Sequence, residues 1–140
     1  MKTIIFLILL SSCSPRVVHV IDGDTLVIKG GEKIRLAGID CPELSQPYGL
    51  EAKDKTVSLC LYKKVRIEKS GLDKYGRILA FVYVGDLSLN KTLLESGLAW
   101  HYARYDNSTD LSKIEFKARF YKIGMWKVNN IEPYKYRMNH

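Results

Sequence analysis

Before any helix signal, the chain spells three short β-rich runs divided by turn residues, and that order narrows the folds open to it. Residues 17–21 and 25–29 are separated by Asp22-Gly23-Asp24, and Gly30-Gly31 leads into a third run over 33–39. β-Branched runs bounded by Gly and Asp read as strands, and a Gly-Gly pair between two of them reads as a hairpin. A helix is predicted over 49–62, with Leu50, Val57 and Leu61 near one face. Residues 65–68 alternate apolar and charged side chains, as a half-exposed strand does; 71–76 reads as a turn and 78–84 as a fifth strand. Ser88 is placed to cap a short helix ended by Gly97. Asp110 is placed to cap a longer one ended by Gly124, with Leu111, Ile114, Ala118 and Tyr121 as its apolar stripe.

Three strands, a helix, two strands and two helices predict an α+β, mainly β fold: a five-stranded Greek-key barrel of the OB type with three helices. The 140 residues, 46% of them hydrophobic, suffice for one domain with a real core. There is no internal repeat and no low-complexity tract. The formal net charge is +7, so the surface attracts polyanions such as nucleic acid or anionic lipid. OB-type barrels commonly bind oligonucleotides, but that is an analogy of fold and not a property of these residues.

The first sixteen residues, "MKTIIFLILLSSCSPR", read as a targeting segment. Lys2 precedes an apolar run over 4–10, far short of the ~20 residues a membrane-spanning helix needs, and of the length of a signal-peptide core. Leu10-Ser11-Ser12-Cys13 resembles a bacterial lipobox. On that reading residues 1–12 are a signal peptide and Cys13 carries the lipid that anchors an exported protein to the cell envelope. Residues 13–16 are then a linker, 17–128 the domain and 129–140 a C-terminal extension. A plain secretion signal and an uncleaved buried strand are the alternatives. Cys41 and Cys60 have no metal-ligand spacing and form no CxxC pair, so they read as free thiols, although export would permit a disulfide.

Asp22, Asp24, Asp40 and Glu43 all fall at strand ends or turns. Singly, each is an ordinary turn acid. If the first turn and the end of the third strand share one rim of the barrel, Asp24 and Asp40 converge there. Two carboxylates with carbonyls and waters suit a hard cation such as calcium, and no His or Cys pair suggests zinc. Arg35 and Arg77 stand beside predicted strands, where a guanidinium either reaches solvent or offers its planar fork to phosphate oxygens. Trp100 and Trp126 are assigned to the core. His19 and His101 have no obvious partner and read as structural.

The segments "VIDGDT", "IRLAGIDCPE", "DKYGR" and "SGLAW" occur in that order. Together they resemble the staphylococcal nuclease (thermonuclease) family over about 17–126, and the tail "EPYKYR" resembles an extension seen in many bacterial relatives. The resemblance implies an OB barrel and calcium-dependent hydrolysis of DNA and RNA leaving 3′-phosphates, by a monomer. It implies Asp24, Asp40 and the backbone carbonyl of Cys41 as calcium ligands, with Asp22 as a further acid beside the metal. It implies Arg35, Glu43 and Arg77 as the catalytic trio, and Lys74, Tyr75 and Tyr105 as nucleotide-contacting residues. Glu115 matches a structural acid on the last helix. Two departures stand out. The loop after Glu43 is short, only residues 44–48, where the staphylococcal enzyme has a longer lysine-bearing loop. Ala103 stands where that enzyme has a ligand-contacting tyrosine, with Tyr102 adjacent. The rival reading is an inactive nucleic-acid-binding barrel; a basic envelope lipoprotein would account for the charge but not for the placement of acids and arginines.

Overall fold

A computed structural model describes residues 14–140. The signal segment and the lipidation expected at Cys13 lie outside the described residues. In chain order the elements are β1 (Val17–Val20), β2 (Thr25–Ile28), β3 (Lys33–Leu36), β4 (Ile39–Asp40), α1 (Gly49–Cys60), β5 (Arg66–Leu72), β6 (Ile78–Val84), β7 (Leu87–Ser88), α2 (Leu89–Glu95), β8 (Trp100–His101) and α3 (Thr109–Phe120). A 3-10 turn over Gly124–Lys127 and a helix α4 (Pro133–Asn139) follow.

The five expected strands fall in the expected places with two changes of bounds: the third stops at Leu36, where the chain reverses, instead of running to residue 39, and the fourth, β5, runs on to Leu72, into the start of the segment expected to turn. β1, β2 and β3 form the antiparallel meander, with Leu26 opposite Ile34 and Thr25 opposite Arg35. β3 then pairs in parallel with β6, which pairs antiparallel with β5, so the sheet order is β1-β2-β3-β6-β5, and β7 adds to β6. The outer strands approach each other at one end. Val17 N–H donates to the Lys63 carbonyl at 3.0 Å, Val65 N–H donates to the Pro15 carbonyl at 2.8 Å, and Arg16 bridges Lys64. The result is the partly open barrel of the OB type. β4 and β8 form a separate two-residue pair, Asp40 opposite Trp100.

The core runs from the inner faces of β1–β3 and β6 to α2 and α3, through Leu26, Ile34, Leu36, Leu89, Leu93, Leu94 and Leu111. Buried Asn90 joins α2 to the sheet. Its Oδ1 accepts from Val82 N–H at 3.1 Å and its Nδ2 donates to the Ala37 carbonyl at 2.8 Å. These are backbone groups that would otherwise be buried unpaired.

Four further expectations need correcting. The residues of α1 buried deepest against the barrel are Ala52, Thr56 and Cys60; Val57 and Leu61 pack partly buried against the core, as expected, but Leu50 is exposed. The helix lies close to the first turn: a Cβ on Gly23 would lie 2.8 Å from the Cβ atoms of both Ala52 and Cys41. The stripe of α3 stops at Ala118, and Tyr121 is exposed. Trp100 and Trp126 are an edge-to-face pair at 4.5 Å, partly exposed, with the Arg119 guanidinium against both rings. The extension contains a fourth helix, α4, opened by Pro133 at its first turn, where a fixed φ and a missing N–H cost nothing. Cys41 and Cys60 are free and buried, as expected. His101 is structural and does have partners: its ring nitrogens meet Asp106 at 3.0 Å and Ser112 at 2.9 Å.

Candidate functional site

The pairing of Thr25 with Arg35 sets Asp24, just before β2, beside the Arg35 side chain on β3. The chain then reverses through Ala37-Gly38, where Gly38 takes φ +71, a conformation that glycine alone adopts without strain. It returns as β4, and β8 pins Asp40 in place. Arg35 staples this reversal. Its Nη1 donates to the Leu36 and Ile39 carbonyls at 2.8 and 2.9 Å. Its Nη2 meets Asp40 Oδ1 at 2.8 Å and Asp24 Oδ2 at 3.1 Å. An arginine therefore belongs in an apolar strand here because its head collects two carbonyls and two carboxylates at the rim.

Asp24 Oδ2 also accepts from the Cys41 amide at 2.7 Å, and Asp22 Oδ1 accepts from the Asp24 amide at 3.1 Å. The turn before β2 and the end of β4 are thereby joined, and the expected convergence of Asp24 and Asp40 is present. Burial, with the neighbouring Asp24 charge, pushes Asp22 up to about 6. Burial likewise raises Asp24 and Asp40, against the pull of Arg35. The cause is desolvation: these carboxylates are withdrawn from water, and the arginines beside them offset only part of that cost.

Among the described residues no three His, Cys, Asp or Glu side chains form a ready metal-binding group. The two carboxylates that meet at Arg35 Nη2 nonetheless offer hard oxygen donors, in a pocket whose acids burial holds up. That donor set fits an oxygen-liganded cation better than a soft one.

Glu43 follows at the start of the short loop. Its amide donates to Gln46 Oε1 at 2.8 Å. The helix α1 begins so close behind that a Cβ on Gly49 would sit 2.0 Å from the Glu43 carbonyl oxygen. Arg77 arrives from the turn before β6. Asp73 Oδ2 accepts from its Nε at 2.6 Å, and its Nη1 reaches to 3.5 Å from the Thr25 hydroxyl, next to Asp24. Lys74 and Tyr75 share that turn, with the ammonium 5.0 Å from the ring centre. Tyr75 is 72% exposed, and Tyr105, beyond β8, is 77% exposed. Tyr105 packs on Tyr102 at 5.0 Å.

Three residues of the site were not singled out from the sequence. Thr25 links Arg77 to Asp24. Gln46 is buried under the loop. Arg137, from α4, donates to Asp40 Oδ2 at 2.9 Å and to Glu43 Oε1 at 2.7 Å. Burial opposes its charge, but the two carboxylates hold it more firmly protonated than an ordinary arginine. The one available signal was an arginine closing the "EPYKYR" tail.

The family model described as staphylococcal nuclease homologue matches residues 33–128, most of the chain. The chain belongs to the staphylococcal nuclease family. The matched segment contains Arg35, Asp40, Glu43 and Arg77; Asp22 and Asp24 precede it, and Arg137 follows it. A Haemophilus influenzae protein named "Uncharacterized endonuclease" is 39% identical over 91% of this chain and 78% of its own length. A protein of the same name from Escherichia coli is 37% identical over 87% of this chain and 83% of its own. "Staphylococcal-like nuclease CAN1" of Arabidopsis thaliana is 38% identical over 76% of this chain. The chain matches about a third of the length of that plant member of the family, and most of the length of the bacterial ones.

Proposed function

We propose that the protein is a calcium-dependent nuclease that hydrolyses DNA and RNA phosphodiesters and leaves 3′-phosphate ends. The observation that carries this reading is Arg35 bridging Asp24 and Asp40 within 3.1 Å, with Glu43 three residues further along the same segment. The relatives named as nucleases support it.

Hydrolysis needs a nucleophile, charge neutralisation and in-line geometry. Asp24, Asp40 and the Cys41 carbonyl would hold calcium with Asp22 alongside, and the bound ion supplies Lewis-acid neutralisation of a non-bridging phosphate oxygen. Glu43 orients or deprotonates the attacking water; its Oε1 is engaged by Arg137, and among the described residues Oε2 has no hydrogen-bond partner. Arg35 and Arg77 hold the phosphate oxygens as negative charge builds on them. Asp73 fixes the Arg77 fork for that task. Tyr75 and Tyr105 offer exposed faces to bases, worth about 1–3 kcal/mol per stacked base, and Lys74 adds charge for the backbone.

The test is cleavage of single-stranded DNA and RNA by the purified protein in calcium, in magnesium and in a calcium chelator, with analysis of the product ends. Cutting that requires calcium and leaves 3′-phosphates is the expected result. Salt-sensitive binding without cutting would replace the nuclease with a binding module.

Location belongs to the same proposal. Leu10-Ser11-Ser12-Cys13 supports a lipid anchor on Cys13 and export to the cell envelope. The expected result is a lipid-sized mass increase on the N-terminal peptide, abolished in Cys13→Ser; an unmodified Cys13 in membrane fractions would sink it.

A further inference from the structure

Residues 129–140 lie beyond the segment the family model covers, yet they are fastened to the loop that carries Glu43. Gln46 is 5% exposed and serves both sides. Its Oε1 accepts from the Glu43 amide at 2.8 Å, and its Nε2 donates to the Ile131 carbonyl at 3.0 Å. The hydroxyls of Ser45 and Tyr136 are 3.0 Å apart. Pro133 is buried, and the Arg104 guanidinium lies 4.5 Å from the centre of the Tyr134 ring. A buried amide used at both ends is a built contact, because an unmet donor or acceptor there would be costly.

These contacts bring Arg137 onto both carboxylates at once. Nη2 meets Asp40 Oδ2 at 2.9 Å, while Nη1 meets Asp40 Oδ1 at 3.2 Å and Glu43 Oε1 at 2.7 Å. Asp40 and Glu43 are like charges three residues apart, and they repel. A planar fork between them cancels that repulsion and fixes both in orientation, which a point charge does less well. Asp40 is buried and already held by Arg35; Glu43 is half-exposed, and among the described residues Arg137 is the partner of its side chain. Without that partner the Glu43 carboxylate is free to rotate at the rim.

We infer that Arg137 is a positioning residue of the site: helix α4 delivers it to clamp Glu43 to Asp40, holding Oε1 of Glu43 so that Oε2 stays directed to the reacting water. The clamp acts on residues of the nuclease reading above and rests on it.

The experiment compares the full chain, purified in mild detergent, as wild type, Arg137→Ala and Arg137→Lys. It measures kcat and KM on a single-stranded oligonucleotide, calcium affinity by calorimetry without substrate, and Tm. Losing a group that orients a ligand or catalytic carboxylate costs about 10–100-fold. Arg137→Ala should therefore lower kcat by about that factor with a much smaller change in KM, and should weaken calcium binding. Arg137→Lys should recover part of kcat, since it keeps the charge and loses the fork. A kcat in Arg137→Ala equal to wild type overturns the inference. So does faster cutting with tighter calcium binding, which would make Arg137 a plug. A wild type that cuts nothing sinks the nuclease reading, and the calcium titration then decides this one: weaker binding in Arg137→Ala supports the clamp, equal or tighter binding overturns it.

Discussion

Glu43→Gln is expected to slow calcium-dependent cleavage roughly 10²–10⁴-fold, the range for losing general-base help, with little change in calcium affinity or Tm. The substitution is nearly isosteric. The amide oxygen can still accept from Arg137 Nη1, now 2.7 Å from Oε1, and the backbone amide keeps its bond to Gln46 at 2.8 Å. What changes is basicity and charge at the second oxygen, the one without a partner among the described residues. Asp24 and Asp40 are untouched, so the ion should bind as before. Single-turnover cleavage with calorimetric titration of calcium separates the two effects. A variant that cuts as fast as wild type would remove Glu43 from the mechanism. A variant that cuts slowly only because calcium no longer binds would move Glu43 into the ligand set.

The parts of this site that were legible in the sequence are those whose signals are local. Asp22-Gly23-Asp24 ends one strand and begins another, and Arg35, Asp40 and Glu43 fall within nine residues of one another. Strand pairing then does the rest, since Thr25 opposite Arg35 leaves Asp24 no other neighbourhood. Arg137 could not be read in this way. It meets Asp40 and Glu43 across 97 and 94 residues of chain, through a helix of seven residues whose placement depends on tertiary contacts with Ser45 and Gln46. Gln46 looks like an ordinary loop residue until its two ends are seen to be occupied. The face of α1 was legible in part for a related reason. Periodicity points to Leu50, Val57 and Leu61, of which Val57 and Leu61 pack against the core, but the deepest contacts come from the smaller Ala52, Thr56 and Cys60, and Leu50 is exposed. The pairs β4 and β8 are two residues long and carry no periodic signal at all, yet they decide where Asp40 sits. The short loop after Glu43 also takes on meaning only in three dimensions, because the extension packs against it through Ile131 and Tyr136.

Arg35→Met should damage both rate and stability, and calcium should tell the two apart. Methionine fills much of the arginine's volume without its charge. Removing the guanidinium takes donors from the Leu36 and Ile39 carbonyls and a counter-ion from Asp24 and Asp40, all at a site where Arg35 is 11% exposed. Breaking a buried ion pair from one side costs about 3–5 kcal/mol. Arg137 remains on Asp40 and offsets part of this, but its ion pairs are with Asp40 and Glu43 and not with Asp24. In chelator the Tm should therefore fall by roughly 10 °C or more. Calcium bound as proposed would replace the missing positive charge between the same two carboxylates, so the ion should raise the Tm of the variant more than that of the wild type. Cleavage should not recover in parallel. Losing one preorganised donor to the developing charge costs roughly 10²–10³-fold in rate, and a restored fold does not restore that donor. Thermal melts and cleavage rates measured side by side, with and without calcium, give the answer. Equal calcium stabilisation of variant and wild type would mean that Asp24 and Asp40 do not share an ion. Full recovery of cleavage with calcium would mean that Arg35 holds the loop and takes no part in stabilising the phosphate.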